Sequence, residues 1–223
     1  MTHSRAAHPI SAGYCATCVN ADPARDMIAD RARQAAAAAA LVGCLLAAHG
    51  TAAADAAAGA RLSAARCASC HSSTETIHST VPLLEGQPKA YFIAQWRAFR
   101  ERKRTAPVMV NLAGELSEKD VADLAEHYAA LAPPPAALAS GSDTGRALAD
   151  RLRCAACHGS ALRGTHAGAA RLAGQKVQYT TWSLQLMRSG TRSHGTAAKP
   201  DPLLADLSNA EIESLAAHLA SLR

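Results

Sequence analysis

Cys67-Ala-Ser-Cys70-His71 returns 87 positions later as Cys154-Ala-Ala-Cys157-His158. Each stretch places two thiols three positions apart and an imidazole directly after them. A third pair, Cys15-Ala-Thr-Cys18, is followed by Val19 and therefore lacks the imidazole. Which of these pairs does chemistry, and whether both copies are complete, decides how the rest of the chain reads.

The agreement between the two halves extends beyond the cysteines. Gly86-Gln87 and Tyr91 match Gly174-Gln175 and Tyr179, Arg100 matches Arg188, and Arg104 matches Arg192. Leu116-Ser117 opens LSEKDVADLAEHYAAL, and Leu207-Ser208 opens LSNAEIESLAAHLASL. An internal duplication accounts for all of this. No Val/Ile/Thr alternation marks strands, whereas helical periodicity recurs, so the fold class is all-α. Each half reads as a helix running into the cysteines (Arg61–Arg66; Gly145–Arg153), a middle helix (Pro88–Arg100; Val177–Arg188) and a last helix. Ser117 and Ser208 are its N-caps, with Asp120 and Glu211 completing capping boxes. Between the halves, Pro133 to Pro135 cannot continue a helix and make a stiff spacer.

Two thiols on one helical turn suit covalent attachment of a porphyrin through its two vinyl groups, and the adjacent histidine is then directed at the iron. Zinc is the competing use of Cys-x-x-Cys. A shared four-cysteine zinc site would have to draw both halves together and would leave His71 and His158 without a role. The motif therefore points to two covalently bound haem c groups, on Cys67 and Cys70 and on Cys154 and Cys157. Aromatics make up only 4% of the chain, so a cofactor at the centre of each small core also answers a need for staples.

Ala35–Ala48 is an apolar run too short to cross a bilayer comfortably, with Arg31 and Arg33 before it and Ala52-x-Ala54 after it. That is the pattern of an export signal. The expected organisation is an N-terminal extension plus signal over 1–54, a first domain over 55–132, a linker over 133–142 and a second domain over 143–223. Met27 would give a conventional start, which makes Cys15 and Cys18 doubtful as protein. A genuine metal-binding extension is the other reading of that pair. Leu41-Val-Gly-Cys44 resembles a lipobox, a minority reading in which Cys44 is lipidated, although the apolar run continues past it. Without the leader, every remaining cysteine lies in a Cys-x-x-Cys-His unit. The mild excess of 23 Lys+Arg over 18 Asp+Glu forms no basic stripe interleaved with aromatics, which argues against nucleic acid. The expected location is periplasmic, with no transmembrane segment after processing.

The order CxxCH, Pro-x-Leu-x-Gly-Gln, Tyr, Arg, Met, Leu-Ser, last helix resembles class I cytochrome c, and two such lobes in one exported chain resemble the dihaem cytochrome c4 family. The resemblance covers nearly all of 57–223. It implies two tandem lobes of about three main helices, haems near the lobe interface, and a periplasmic electron carrier serving a terminal oxidase, a quinol-oxidising complex or a periplasmic dehydrogenase. Carried over by position, His71 and His158 are proximal ligands. Met109, on a loop ahead of the last helix, is the distal ligand of the first iron, with an adaptable core filler as its bland alternative. The carbonyl of Pro82 is the acceptor for the proximal histidine's second N–H. Tyr91, Tyr179, Arg104 and Arg192 are expected at the haem propionates or in packing.

The second lobe departs from that pattern. Its matching loop, GTRSHGTAAKPDPLLADLS, holds no methionine, and Ala170 stands where the first lobe has Pro82. Four readings stay open for the second iron: His194, which follows His158 by 36 positions where Met109 follows His71 by 38; Lys199; no protein ligand; or Met187 from the middle helix. An open iron would admit an enzymatic alternative, with thiosulfate-oxidising or peroxide-type chemistry. A fixed electron-transfer subunit of a larger oxidoreductase is a third.

Overall fold

In the computed structural model the described residues are 53–71, 80–134, 141–195 and 200–223, together with Arg31 and Gln34. The expectations placed on Cys15, Cys18, Met27, Cys44 and Lys199 lie outside them. Among the described residues there is no strand, and residues 52–223 belong to one compact unit.

The first half comprises α1 (Ala56–Arg66), α2 (Ala68–His71), α3 (Lys89–Arg100), α4 (Pro107–Glu115) and α5 (Glu118–Ala130). The second half comprises α6 (Asp143–Arg151), α7 (Cys154–His158), a 3₁₀ turn at Ser160–Leu162, α8 (Val177–Arg188) and α9 (Asn209–Ser221). Both last helices open with the capping boxes read from the sequence: Ser117 and Ser208 each accept from the N3 amide, while Asp120 and Glu211 accept from the cap amide. The repeated arginine of each middle helix secures that same helix start. Arg100 reaches Glu118, and Arg188 reaches the Leu207 carbonyl and Asn209.

In each half the first and last helices cross at a glycine. A Cβ on Gly59 would stand 2.1 Å from the Asp123 carbonyl oxygen, and one on Gly145 would stand 2.0 Å from that of Ser214. The two backbones touch, so any side chain would force them apart. His127 and His218 flank these crossings with their Cβ atoms, so they serve the packing. Beside the crossing, α5 buries Val121, Leu124 and Tyr128, and α9 buries Ile212, Leu215 and Leu219. Burying each of these large side chains is worth about 1.5–3 kcal/mol. Trp96 and Phe99 complete the first core; Leu148, Leu162 and Leu204 complete the second.

Two boundaries differ from the sequence reading. α1 begins at Ala56, five residues earlier than expected, because Asp55 caps it by accepting from the Ala57 amide. α6 stops at Arg151, and Arg153 takes a left-handed conformation (φ 52°) that turns the chain into α7. A third difference concerns Met109, which lies on helix α4 and not on a loop. Pro107 at its first turn has a backbone angle preset for helix, and Ala113 is fully buried one turn on. In the matching stretch of the second half, the described residues 200–206, with Pro200 and Pro202, form a bend and turns and no helix.

Candidate haem sites

The two proximal histidines are held alike. Nδ1 of His71 lies 2.8 Å from the Pro82 carbonyl oxygen, and Nδ1 of His158 lies 2.8 Å from that of Ala170. A carbonyl only accepts, so each Nδ1 carries the proton and each Nε2 keeps a free lone pair. Burial pushes both imidazoles below their ordinary pKa. The carbonyl bonds oppose this, while Lys176 lowers His71 further and His194 lowers His158. Both rings are thus neutral donors, the form that binds a metal. Ala170 serves as acceptor as well as Pro82 does, because only its backbone oxygen is used.

Among Cys67, Cys70, Cys154 and Cys157 there is no disulfide; Cys67 is buried and Cys70 and Cys157 are exposed. Burial raises the pKa of Cys67 and Cys154. Among the described residues no three His, Cys, Asp or Glu side chains converge on a metal position, so the shared zinc site considered from the sequence does not form.

Met109 is half-buried and packs against the cluster of Trp96, Phe99, Ala113 and Val121. Met187, one of four readings for the second iron, packs from α8 onto the core of its own half. His194 stands elsewhere. Its ring faces that of His158 with centroids 5.9 Å apart and planes 18° from parallel. Two imidazole nitrogens bound to one metal at about 2.0–2.1 Å each put the ring centroids roughly 6 Å apart. The spacing therefore fits a metal between them. Nδ1 of His194 bonds to Asp201, whose other carboxylate oxygen accepts from the Leu203 amide at 2.9 Å. Asp201 went unread in the sequence. Its only signal was an acidic residue seven positions after the histidine, between two prolines.

A largely buried cationic cluster is drawn from both halves, with Arg104 and Lys176 near enough to His71 to lower its pKa. Arg104 donates to Tyr179 at 2.9 Å and to Gln95 at 2.7 Å. Arg192 donates to Tyr91 at 3.2 Å, to Tyr179 at 3.3 Å and to Ser183 at 2.7 Å. Burial would raise the Tyr179 phenol, but Arg192 and Arg104 more than offset it and bring it down to about 7. Lys176 and Arg192 are 5% and 6% exposed, yet Lys176 Nζ, Arg192 Nε and the indole N–H of Trp96 have no hydrogen-bond partner. Among the described residues none of Arg104, Arg192 and Lys176 pairs with a carboxylate. Buried positive charge and orphaned donors of this kind call for an anion, which the two carboxylates of a haem supply. The exposed Arg97 and Arg100 instead pair with Glu118, and Lys103 with Glu101. Thiol pairs, oriented imidazoles and orphaned donors all fit two haems.

Comparison with known proteins agrees. The cytochrome c family model matches residues 142–223. Cytochrome c4 of Pseudomonas aeruginosa is 31% identical over 77% of this chain and 90% of its own length. A thiosulfate dehydrogenase electron acceptor of Stutzerimonas stutzeri is 28% identical over 74% of this chain and 82% of its own. The solved structure of Acidithiobacillus ferrooxidans cytochrome c4 superposes with a TM-score of 0.63 at 28% identity, covering 71% of this chain and 99% of that one. A thiosulfate dehydrogenase from Marichromatium purpuratum gives a TM-score of 0.65 at 33% identity, covering 75% of this chain and 40% of that one. The chain accordingly belongs to the dihaem cytochrome c4 family of electron carriers, with two covalently bound haem c groups.

Proposed function

We propose that this carrier moves electrons through two unlike haem centres. Cys67, Cys70, His71 and Met109 hold the first; Cys154, Cys157, His158 and His194 hold the second. The observation that carries this reading is the 5.9 Å separation of the His158 and His194 ring centroids, with near-parallel ring planes and His194 backed by the buried Asp201.

The bound haems supply the ferric–ferrous cycling. The protein's part is to bias it. A thioether such as Met109 raises the reduction potential relative to a second imidazole. Asp201 fixes the tautomer of His194 and makes its Nε2 more basic, which favours the oxidised metal. Arg104, Arg192 and Lys176 supply positive charge and neutralise the haem carboxylates. The second site is therefore the low-potential end, and electrons fall from it toward the first.

Domain organisation supports a periplasmic setting. On this reading the domains are 55–132 and 143–223, with a linker over 133–142 and an export leader through Ala54 ahead of them. No helix among the described residues is long and apolar enough to cross a membrane. Two relatives named thiosulfate dehydrogenase electron acceptor favour a periplasmic dehydrogenase as donor, with a terminal oxidase or similar complex downstream. The enzymatic alternative needs an iron with room for substrate, and on this reading His194 would fill the place opposite His158. Potentiometric titration tests the scheme: two waves are expected, and His194→Ala moves only the lower one. Two equal waves in the native protein contradict it.

A further inference from the structure

The repeated Gly-Gln pair, conspicuous in the sequence, has no part in the scheme above. Gly86 and Gly174 have φ of 70° and 74°, a region open to glycine, and their amides bond the carbonyls of Tyr128 and Leu219. Each glycine thereby turns the following glutamine out of its own half. Both glutamines are 6% exposed and both bond across the interface. Oε1 of Gln175 accepts from the Leu83 amide at 2.9 Å, and its Nε2 donates to the Leu83 carbonyl at 3.0 Å. Oε1 of Gln87 accepts from the Arg171 amide at 3.0 Å, and its Nε2 donates to the Arg171 carbonyl at 3.0 Å.

The amide of Leu83 and the carbonyl of Pro82 are the two ends of one peptide group, and so are the amide of Arg171 and the carbonyl of Ala170. One chain of hydrogen bonds therefore runs from Gln175 through the Pro82–Leu83 peptide to Nδ1 of His71. Its mirror runs from Gln87 through the Ala170–Arg171 peptide to Nδ1 of His158. Bonds in such a chain polarise one another. An acceptor on the peptide N–H makes its carbonyl a stronger acceptor for the imidazole, which in turn makes Nε2 a stronger donor to a metal.

We propose that Gln87 and Gln175 are crossed positioning residues, each tuning the proximal histidine of the opposite half. This rests on the reading of His71 and His158 as the proximal ligands. Gln87→Met keeps the volume but removes both bonds. In the dihaem protein it raises the potential of the second haem by about tenfold in the ferric/ferrous ratio, about 59 mV for one electron, and leaves the first nearly unmoved. Gln175→Met does the reverse. The readouts are potentiometric titration resolved by the two haem spectra, and the hyperfine-shifted proton resonances of each proximal histidine. Ser189→Ala is the control, since it loses exposed side-chain bonds without touching either chain. Should a methionine variant fail to mature, Gln87→Asn and Gln175→Asn, too short to span the gap, give the same crossed pattern. Equal shifts of both haems, shifts confined to the glutamine's own half, or shifts no larger than those of Ser189→Ala overturn the proposal. Failure of the underlying ligand reading shows separately, in the axial-ligand spectrum of the unmutated protein.

Discussion

The imidazole of His194 is hydrogen-bonded through Nδ1 to the carboxylate of Asp201, and that carboxylate is 1% exposed. Among the described residues this buried carboxylate is held by one imidazole and one backbone amide. Asp201→Asn keeps the shape and removes the charge, so His194 becomes a weaker donor. The second haem's potential should rise, by about 59 mV for each tenfold loss in preference for the oxidised metal. The first haem should not move. Spectroelectrochemistry of the variant checks both statements.

Met109→Leu removes the thioether at nearly constant volume. Packing against Trp96 and Phe99 survives, so stability should change by less than about 1.5 kcal/mol. Carbon monoxide binding to the reduced first haem should become fast, and its potential should fall. A variant that titrates and binds as the native protein does would show that Met109 is only core.

The helix crossings predict a sharper loss. Gly59→Ala and Gly145→Ala each drive a methyl into a backbone carbonyl at about 2 Å, and overpacking of this kind costs about 1–3 kcal/mol. Denaturant unfolding should show the loss. Gly114→Ala, where nothing lies within 4 Å, is the neutral control.

Asp123 is buried beneath α1, where it accepts from the Asp55 amide at 2.8 Å and from Lys119 at 2.8 Å. The Asp55 bond first, then Lys119, hold its carboxyl below the ordinary value. A depressed carboxyl pKa contributes stability above the unfolded carboxylate range and loses it as pH falls through the folded value. Asp123→Asn should therefore flatten the acid side of the stability profile and leave neutral-to-alkaline behaviour nearly parallel. If the leader ends at Ala54, Asp55 brings an ammonium to this carboxylate, and mass spectrometry of the exported protein should find Asp55 first.

The helices were legible because capping residues and 3.6-residue periodicity are local. Ser117 with Asp120 and Ser208 with Glu211 fixed the last helices from sequence alone. The haem thiols were equally plain, because CxxCH encodes its geometry within five residues. The residue opposite His158 was not, since the stretch from Gly190 to Leu207 has no period to count. Its spacing left His194 among four readings until folding set its ring beside His158. Asp201 and the crossed glutamine bonds were invisible for the same reason: each joins residues brought together only by tertiary packing. The helix bearing Met109 was missed because a nine-residue segment entered through proline looks like loop.

The most direct test of the account is near-infrared magnetic circular dichroism with low-temperature EPR of the fully oxidised protein and of His194→Ala. The native protein should show one histidine–methionine and one bis-histidine haem in equal amounts, and the variant should lose only the bis-histidine signature. Two histidine–methionine haems, or a bis-histidine signal that persists without His194, would contradict it.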